Sequence, residues 1–450
     1  MGLAVFAFLG RQLAPRQLGV LLSAFVLAQV GSTLLDQPVH ALQQREGARD
    51  PAARLSIDLW ARRIRTRAGA LMVVGVSLIG LVVVSQPADR LTIAIVALTI
   101  PLGGLGTGVV RLQHEGRLGA LAAIALFQGG SWLAAVVALG ATGASLPVYA
   151  ATYAVATGAH ALLLHVVASR GAPDEHVTSG KLTPWHGRHM LGDGLRLAAV
   201  SLASVGYYKL DAVLVLQING AVASALYGLA YRFLDQAQIL PVTIANIFVP
   251  GLSASHTDPT AFAAIFQRYL RMSLLAAVPC VGVGMLVAGS VVRVVFNRDL
   301  SGAAPLARIL LPAFVPVCVG YVVTSAAVAA GQTKRQPMPA IVAVVLCTIA
   351  NVALLPVYGP RAAAWTTLVT EAVVVSLLYL RIRRHAPVPL PVAWLARLGV
   401  VVLVSGGPAV VFIALGATGL IVAPSFVALF LTAAAAARLT TRSELANLRS

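Results

Sequence analysis

The sequence predicts an all-α polytopic membrane protein, and three observations carry that class. Charged residues make up 11% of the 450, less than half of the roughly 25% usual in soluble domains. Hydrophobic residues make up 58%, and mean hydropathy is +0.86. The apolar residues also gather into runs of about 20, the length that crosses a hydrocarbon core of about 30 Å. A soluble enzyme with a charged surface is excluded, and so is a disordered chain. Cys280, Cys318 and Cys347 all lie in apolar runs, where a thiol acts as a small hydrophobe; three cannot form a disulfide framework.

The runs fall near residues 18–35, 68–85, 91–110, 118–139, 146–168, 194–216, 222–250, 272–292, 303–330, 339–356, 362–380, 394–415 and 418–437. That is 13 full spans. The stretch 222–250 holds Pro241 and Pro250, so a kinked helix is expected there. Residues 3–10 are apolar as well, but eight residues reach only about 12 Å. They read as the second half of a first helix, giving 13 full spans and a truncated first helix. Either the true start lies upstream or the first lobe lacks half a helix.

Orientation follows from the cations. Of the 33 Lys and Arg, 23 fall in one alternate set of loops, 6 in the other and 4 inside or near spans. Cytoplasmic loops carry the excess. The loop 36–67, the linker and the C-terminus are therefore expected on the cytoplasmic side of a plasma membrane. The net charge of +18 would suggest nucleic acid only if it formed a patch. Here it is spread between spans, so no nucleic-acid partner is expected.

The two halves echo each other. R-L-Q-H-E-G-R at 111–117 matches A-G-Q-T-K-R-Q at 330–336, and L-G-V-L-L-S-A-F at 18–25 weakly matches L-Y-G-L-A-Y-R-F at 226–233. Both offsets are about 210–220 residues. Two six-helix lobes are expected, related by a pseudo-twofold along the membrane normal with a substrate path between them. Two additional C-terminal helices follow. The division is 1–168 for the N-lobe, 169–191 for a cytoplasmic linker, 192–384 for the C-lobe and 385–450 for the last two helices.

Charges inside spans mark function, because each costs about 2.5–3.5 kcal/mol at mid-bilayer on insertion scales. Arg232, Asp235 and Gln236 share one helix face in Y-R-F-L-D-Q. They line a cavity, or the two charges simply neutralise each other. Lys209 and Asp211 stand two residues apart, point opposite ways and cannot pair, so at least one needs a partner on another helix or water. Glu371 lies mid-span with Thr367 one turn earlier. It is either a protonatable coupling group or a buried neutral acid. G-G-L-G-T-G at 103–108 follows an apolar helix rather than a strand, so it reads as helix packing and not a phosphate loop. H-G-R-H at 186–189 lacks a ligand shell. No metal site, cofactor or catalytic constellation stands out.

Y-Y-K-L-D-A-V-L-V-L (207–216), A-L-Y-G-L-A-Y-R-F (225–233), I-F-V-P-G-L-S (247–253), A-A-G-Q-T-K-R (329–335), P-V-Y-G-P-R-A-A-A-W-T-T-L-V-T-E (356–371) and L-A-P-R-Q-L-G (13–19) together give the chain a family likeness. It resembles the polysaccharide-exporter and lipid-linked-oligosaccharide flippase branch of the multidrug/oligosaccharidyl-lipid/polysaccharide (MOP) exporter superfamily. It departs from the pattern in its incomplete first helix and in Ala362–Ala364, which stand where Gly is usual. The resemblance implies two six-helix lobes around a cavity that opens alternately to each side. It also implies that Arg232 holds the position of a cavity arginine.

The function expected is therefore a flippase, not an enzyme. It would move a polyprenyl-pyrophosphate-linked glycan from the inner to the outer leaflet, with Arg232, Lys209 and Gln236 binding the head group. Asp211, Asp235 and Glu371 would serve coupling or line the cavity. The drive would be a proton, sodium or the membrane potential, which is worth up to roughly 4–5 kcal/mol for two negative charges moved outward through about 100 mV. Partners would be the lipid-linked glycan, membrane lipids and glycan-assembly enzymes. The alternatives are a multidrug or small-molecule antiporter of the same fold, which the acidic residues favour, and a membrane enzyme of glycan polymerisation. The second would need a large outer loop.

Overall fold

The computed structural model describes the chain except residues 1, 50–53, 107, 171–183, 256, 297, 331–336 and 440–450. Most of the linker expected at 169–191, and the K-R turn at 331–336, lie outside the described residues. The described chain is helical throughout and divides into two compact units, Met1–Gly228 and Leu229–Ser450.

The first unit opens with α1 (Gly2–Gln12), whose Val5, Phe6 and Leu9 are buried. Phe6 meets Phe25 and Trp132 edge-on at 6.1 and 6.0 Å, so the short helix is anchored by aromatic contacts. α2 (Pro15–Arg49) and α3 (Arg54–Val83) follow. The stretch 36–67, read from sequence as a loop, is mostly helix. At 35 and 30 residues, α2 and α3 reach about 52 and 45 Å, well beyond a core of about 30 Å. They run antiparallel: Arg65 meets Asp36, while Gln43 donates to Asp58 at 2.8 Å. The polar residues of this stretch were the facing stripes of two protruding helices.

Next comes a broken span: α4 (Pro87–Ala97), α5 (Thr99–Gly103), a 3-10 turn at Gly104–Gly106, and α6 (Gly108–His114). The break at Leu98 lies three residues before Pro101. Proline lacks the N–H and crowds the carbonyl four residues back, so the helix yields there. α7 (Leu118–Gly140) and α8 (Leu146–Ser169) complete this set.

α9 (Pro184–Ala237) crosses from one unit into the next and is interrupted at Gly220, with φ 84° and ψ 178°. Only glycine adopts that conformation freely. The chain reverses there: the Tyr227 hydroxyl donates to Asp211. Sixteen residues of straight helix would hold those two about 24 Å apart. The second arm of α9 lies on α2, where Ser224 and Ser23 share a 2.8 Å hydrogen bond. A Cβ at Gly19 would sit 1.7 Å from the Ala221 carbonyl oxygen, so only glycine fits this crossing.

In the second unit the arm ends at Ala237, and α10 (Ile239–Ala254) continues after Gln238. The kink expected from proline falls there, three residues before Pro241. α11 (Pro259–Val295), α12 (Ala303–Leu310), a 3-10 turn at Leu311–Ala313, α13 (Phe314–Ala329), α14 (Pro337–Tyr358) and α15 (Pro360–Ile382) follow. Last come α16 (Val392–Ala414) and α17 (Gly419–Ala436). An apolar core binds the unit, with Phe248, Phe266, Tyr269, Trp394 and Phe430 at its centre.

Twelve stretches among the described residues are long and apolar enough to cross a membrane. The sequence reading gave 13. The two counts differ at Lys209–Ala254, a single 46-residue stretch that takes in the last third of the run 194–216, the turn at Gly220 and the whole of the run 222–250. Helix starts recur at a near-constant offset: Pro87 and Ala303 differ by 216, Leu118 and Pro337 by 219, Leu146 and Pro360 by 214.

Candidate functional site

The six candidate residues stand on two elements. Lys209, Asp211, Arg232, Asp235 and Gln236 belong to α9, and Glu371 belongs to α15. Asp211 is 2% exposed. It accepts from the Tyr227 hydroxyl and, at 2.7 Å, from the Ala212 N–H. Tyr227 is fully buried. A carboxyl in such a place costs several kcal/mol unless hydrogen-bonded, and the reversal at Gly220 delivers its partner. Lys209 is half-buried. The sequence expectation is that at least one of Lys209 and Asp211 finds a partner on another helix or water; here Asp211 meets the Tyr227 hydroxyl.

Arg232 donates to Asp235 at 3.3 Å, and each side chain is 22% exposed. Gln236 is exposed. The pair is thus neither sealed nor solvated. A guanidinium carries five N–H donors in a planar fork that suits anionic oxygens.

Glu371 is buried at 4%, among Thr366, Thr367 and Thr370 of its own helix. The Thr367 hydroxyl donates back to the Ala363 carbonyl at 2.9 Å. Among the described residues no cluster of three His, Cys, Asp or Glu could hold a metal.

Among the described residues of the first unit, sequence reading missed several ionic pairs, and two of them tie separate helices together. Arg65, whose side chain is 10% exposed, reaches Asp36 at 2.6 Å. Arg16 reaches the buried Asp89 at 2.6 Å. The signal for the first was present. Asp36, His40 and Gln43 on one helix, and Asp58, Arg62 and Arg65 on the next, follow the i, i+4, i+7 spacing of a helix face. Counting that stretch as a loop hid it.

Twelve candidate spans among the described residues, several of them broken, define a multi-pass membrane protein. The fold is that of the MOP superfamily. It is similar along nearly its whole length to a lipid II flippase, MurJ, in an inward closed conformation. That match has TM-score 0.78 and 11% identity, over 97% of this chain and 96% of that one. It is similar also to multidrug resistance MATE family transporters of the MOP superfamily. The inward-facing structure matches at TM-score 0.67 and 14% identity, over 85% of this chain and 93% of that one. The outward-facing structure matches at 0.54 and 15%, over 84% and 87%. No curated protein sequence matches the chain. The family model described as polysaccharide biosynthesis protein matches residues 8–305, and this chain belongs to that family.

Proposed function

We propose that this protein carries a polyprenyl-pyrophosphate-linked glycan intermediate from the inner to the outer leaflet by alternating access. Membership of a polysaccharide biosynthesis family over residues 8–305 carries the reading, because a membrane protein that serves polysaccharide synthesis suits the movement of a glycan intermediate across the bilayer. Arg232 supplies the chemistry. Half-buried beside Asp235, its guanidinium would meet a pyrophosphate, and Lys209 and Gln236 would add a cation and an amide. The glycan head group passes through a wet path and the lipid tail stays in the bilayer. Two six-helix lobes, 1–168 and 192–384, would rock about that path on the plasma membrane, with residues 169–191 linking them. Two crossings within Lys209–Ala254 would make the total 13, with α1 a partial helix and the C-terminus cytoplasmic. Residues 385–450 would supply the two extra helices. The wider likeness favours the flippase, since 97% of this chain aligns with MurJ and 85% with the MATE fold. Glycan-assembly enzymes would hand over the cargo.

A reconstituted assay tests this. Proteoliposomes holding a fluorescent polyprenyl-pyrophosphate oligosaccharide should show transfer between leaflets. Arg232→Ala should cut the rate at least tenfold at normal protein level, and Arg232→Lys should do less harm because the charge survives. A purely structural pair would instead be rescued by Arg232→Ala with Asp235→Ala. Full transport by Arg232→Ala, or that rescue, overturns the head-group role. The second reading, a cation-coupled small-molecule antiporter, draws support from the buried Asp211 and Glu371. It requires drug transport that stops with Glu371→Gln and an absence of glycan transfer.

A further inference from the structure

We infer that the second unit carries a binding pocket for the phosphate of an acidic phospholipid, separate from the cargo path and present whatever the cargo is. The pocket lies where the start of α16, the first third of α11 and the end of α17 meet. It encloses about 340 Å³, and Arg271, Arg397, Arg438, Gln267 and the first turn of α16 line it. Three guanidiniums and one amide thus face one space, and no carboxylate is among its lining residues. The first turn of α16 holds no acidic residue and no side-chain cap, so the positive end of that helix's dipole faces the same space.

The pocket is built rather than incidental. Trp394 donates its indole N–H to the Leu439 carbonyl at 2.9 Å, which ties the end of α17 to the start of α16. Arg271 lies over the Trp394 ring at 6.0 Å, so a cation–π contact holds that guanidinium beside the site. Arg438 has φ 51°, the only positive φ at a non-glycine position among the described residues. It occupies the left-handed position after α17, where glycine usually ends a helix: Leu439 N–H returns to the Ala434 carbonyl at 3.0 Å. A residue with a side chain is strained there, and this one places its guanidinium in the pocket.

The source of the phosphate follows from what adjoins the site. Val392 lines the pocket and is 70% exposed; Val400 at 59% and Leu403 at 75% continue the stripe along α16. From Val392 to Leu403 the helix rises about 16 Å, half of a hydrocarbon core of about 30 Å. A lipid with its head among the arginines can lay an acyl chain along that stripe. A soluble phosphate has no use for it. Basic pockets between membrane helices on the cytoplasmic side suit acidic head groups, and the charge bias puts this end of the unit in that leaflet.

The full-length protein in nanodiscs gives the test. Dioleoylphosphatidylglycerol added to a phosphatidylcholine disc should bind measurably by native mass spectrometry and raise Tm. Arg397→Gln and Arg438→Gln, both at exposed positions, should each weaken retention about fivefold and together by more than tenfold, given the usual worth of one cation near an acidic surface. Arg384→Gln, an exposed cation outside the pocket, should leave binding unchanged. Equal retention by the double variant, equal retention of phosphatidylcholine, or equal loss with Arg384→Gln overturns the proposal. Inorganic phosphate that raises Tm as much as the lipid overturns the lipid source.

Discussion

Two broken helices, one in each unit, solve the same problem in opposite ways. The first runs from Pro87 to His114 and gives way before Pro101. The second runs from Ala303 to Ala329 and gives way at the turn holding Pro312. In the first, the broken part is glycine. A Cβ at Gly104 would press on Thr66 and Arg65 of α3 at 3.0–3.1 Å, and one at Gly108 would meet the Leu164 carbonyl of α8 at 2.8 Å. Backbones approach each other, and the Arg65–Asp36 pair tucks beside Gly103. In the second, Leu310, Leu311 and Phe314 are buried and fill the space with side chains. The first joint is close, backbone-lined and ionic. The second is dry and filled. A joint without side chains has nothing to re-pack, whereas a filled joint has nothing to spare.

That contrast predicts mirror-image sensitivities. Gly108→Leu should cost about 3 kcal/mol or more, because the obstacle is backbone and a flexible side chain cannot yield. Phe314→Ala should cost a similar ~3–5 kcal/mol through the cavity it leaves, while Phe314→Leu costs far less. Thermal unfolding in detergent, followed by size-exclusion fluorescence, measures both. A well-tolerated Gly108→Leu would break the comparison.

The ionic joint comes next in size. Arg65→Ala should cost about 2–3 kcal/mol, because Asp36 is left partly buried without its partner. Arg65→Ala with Asp36→Ala should recover much of that. The same pair of changes at Arg232 and Asp235 should move Tm by half as much or less, since those side chains are each 22% exposed. Comparable Tm losses at both pairs would erase the distinction between a buried pair and a half-exposed one.

The smallest effect sharpens the start of α11. The hydroxyl of Thr260 and the N–H groups of Ala261 and Thr260 hold the Asp258 carboxylate below its ordinary range. A depressed carboxyl adds stability that is present above its unfolded pKa and lost as pH falls through the folded one. Asp258→Ala should therefore lower Tm slightly at pH 7. The gap should narrow as pH drops below about 4, the usual aspartate range. A gap that persists at pH 3 would assign the effect to something other than this cap.

Much of the architecture was legible because bilayer crossing is a local property. A run of about 20 apolar residues, a proline inside it and an excess of arginine beside it each act where they stand. Pro241 announced the break at Gln238, and the spans near 118–139 and 362–380 fall on α7 and α15. Partnership was not legible. Asp211 found Tyr227 only because Gly220 turns the chain back, and a single glycine does not reveal its φ in advance. Arg65 and Asp36 were hidden in a stretch whose polarity read as solvent but whose spacing was that of two paired helices. The arginines of the α16 pocket lie 126 and 41 residues apart in sequence, at positions 271, 397 and 438. The sequence by itself determined that this chain has the spans of a membrane protein and where most of them run, since each is a transfer of a local segment from water to lipid. Only the tertiary structure decided which buried charge meets which partner, because that depends on distances between segments that no local property fixes.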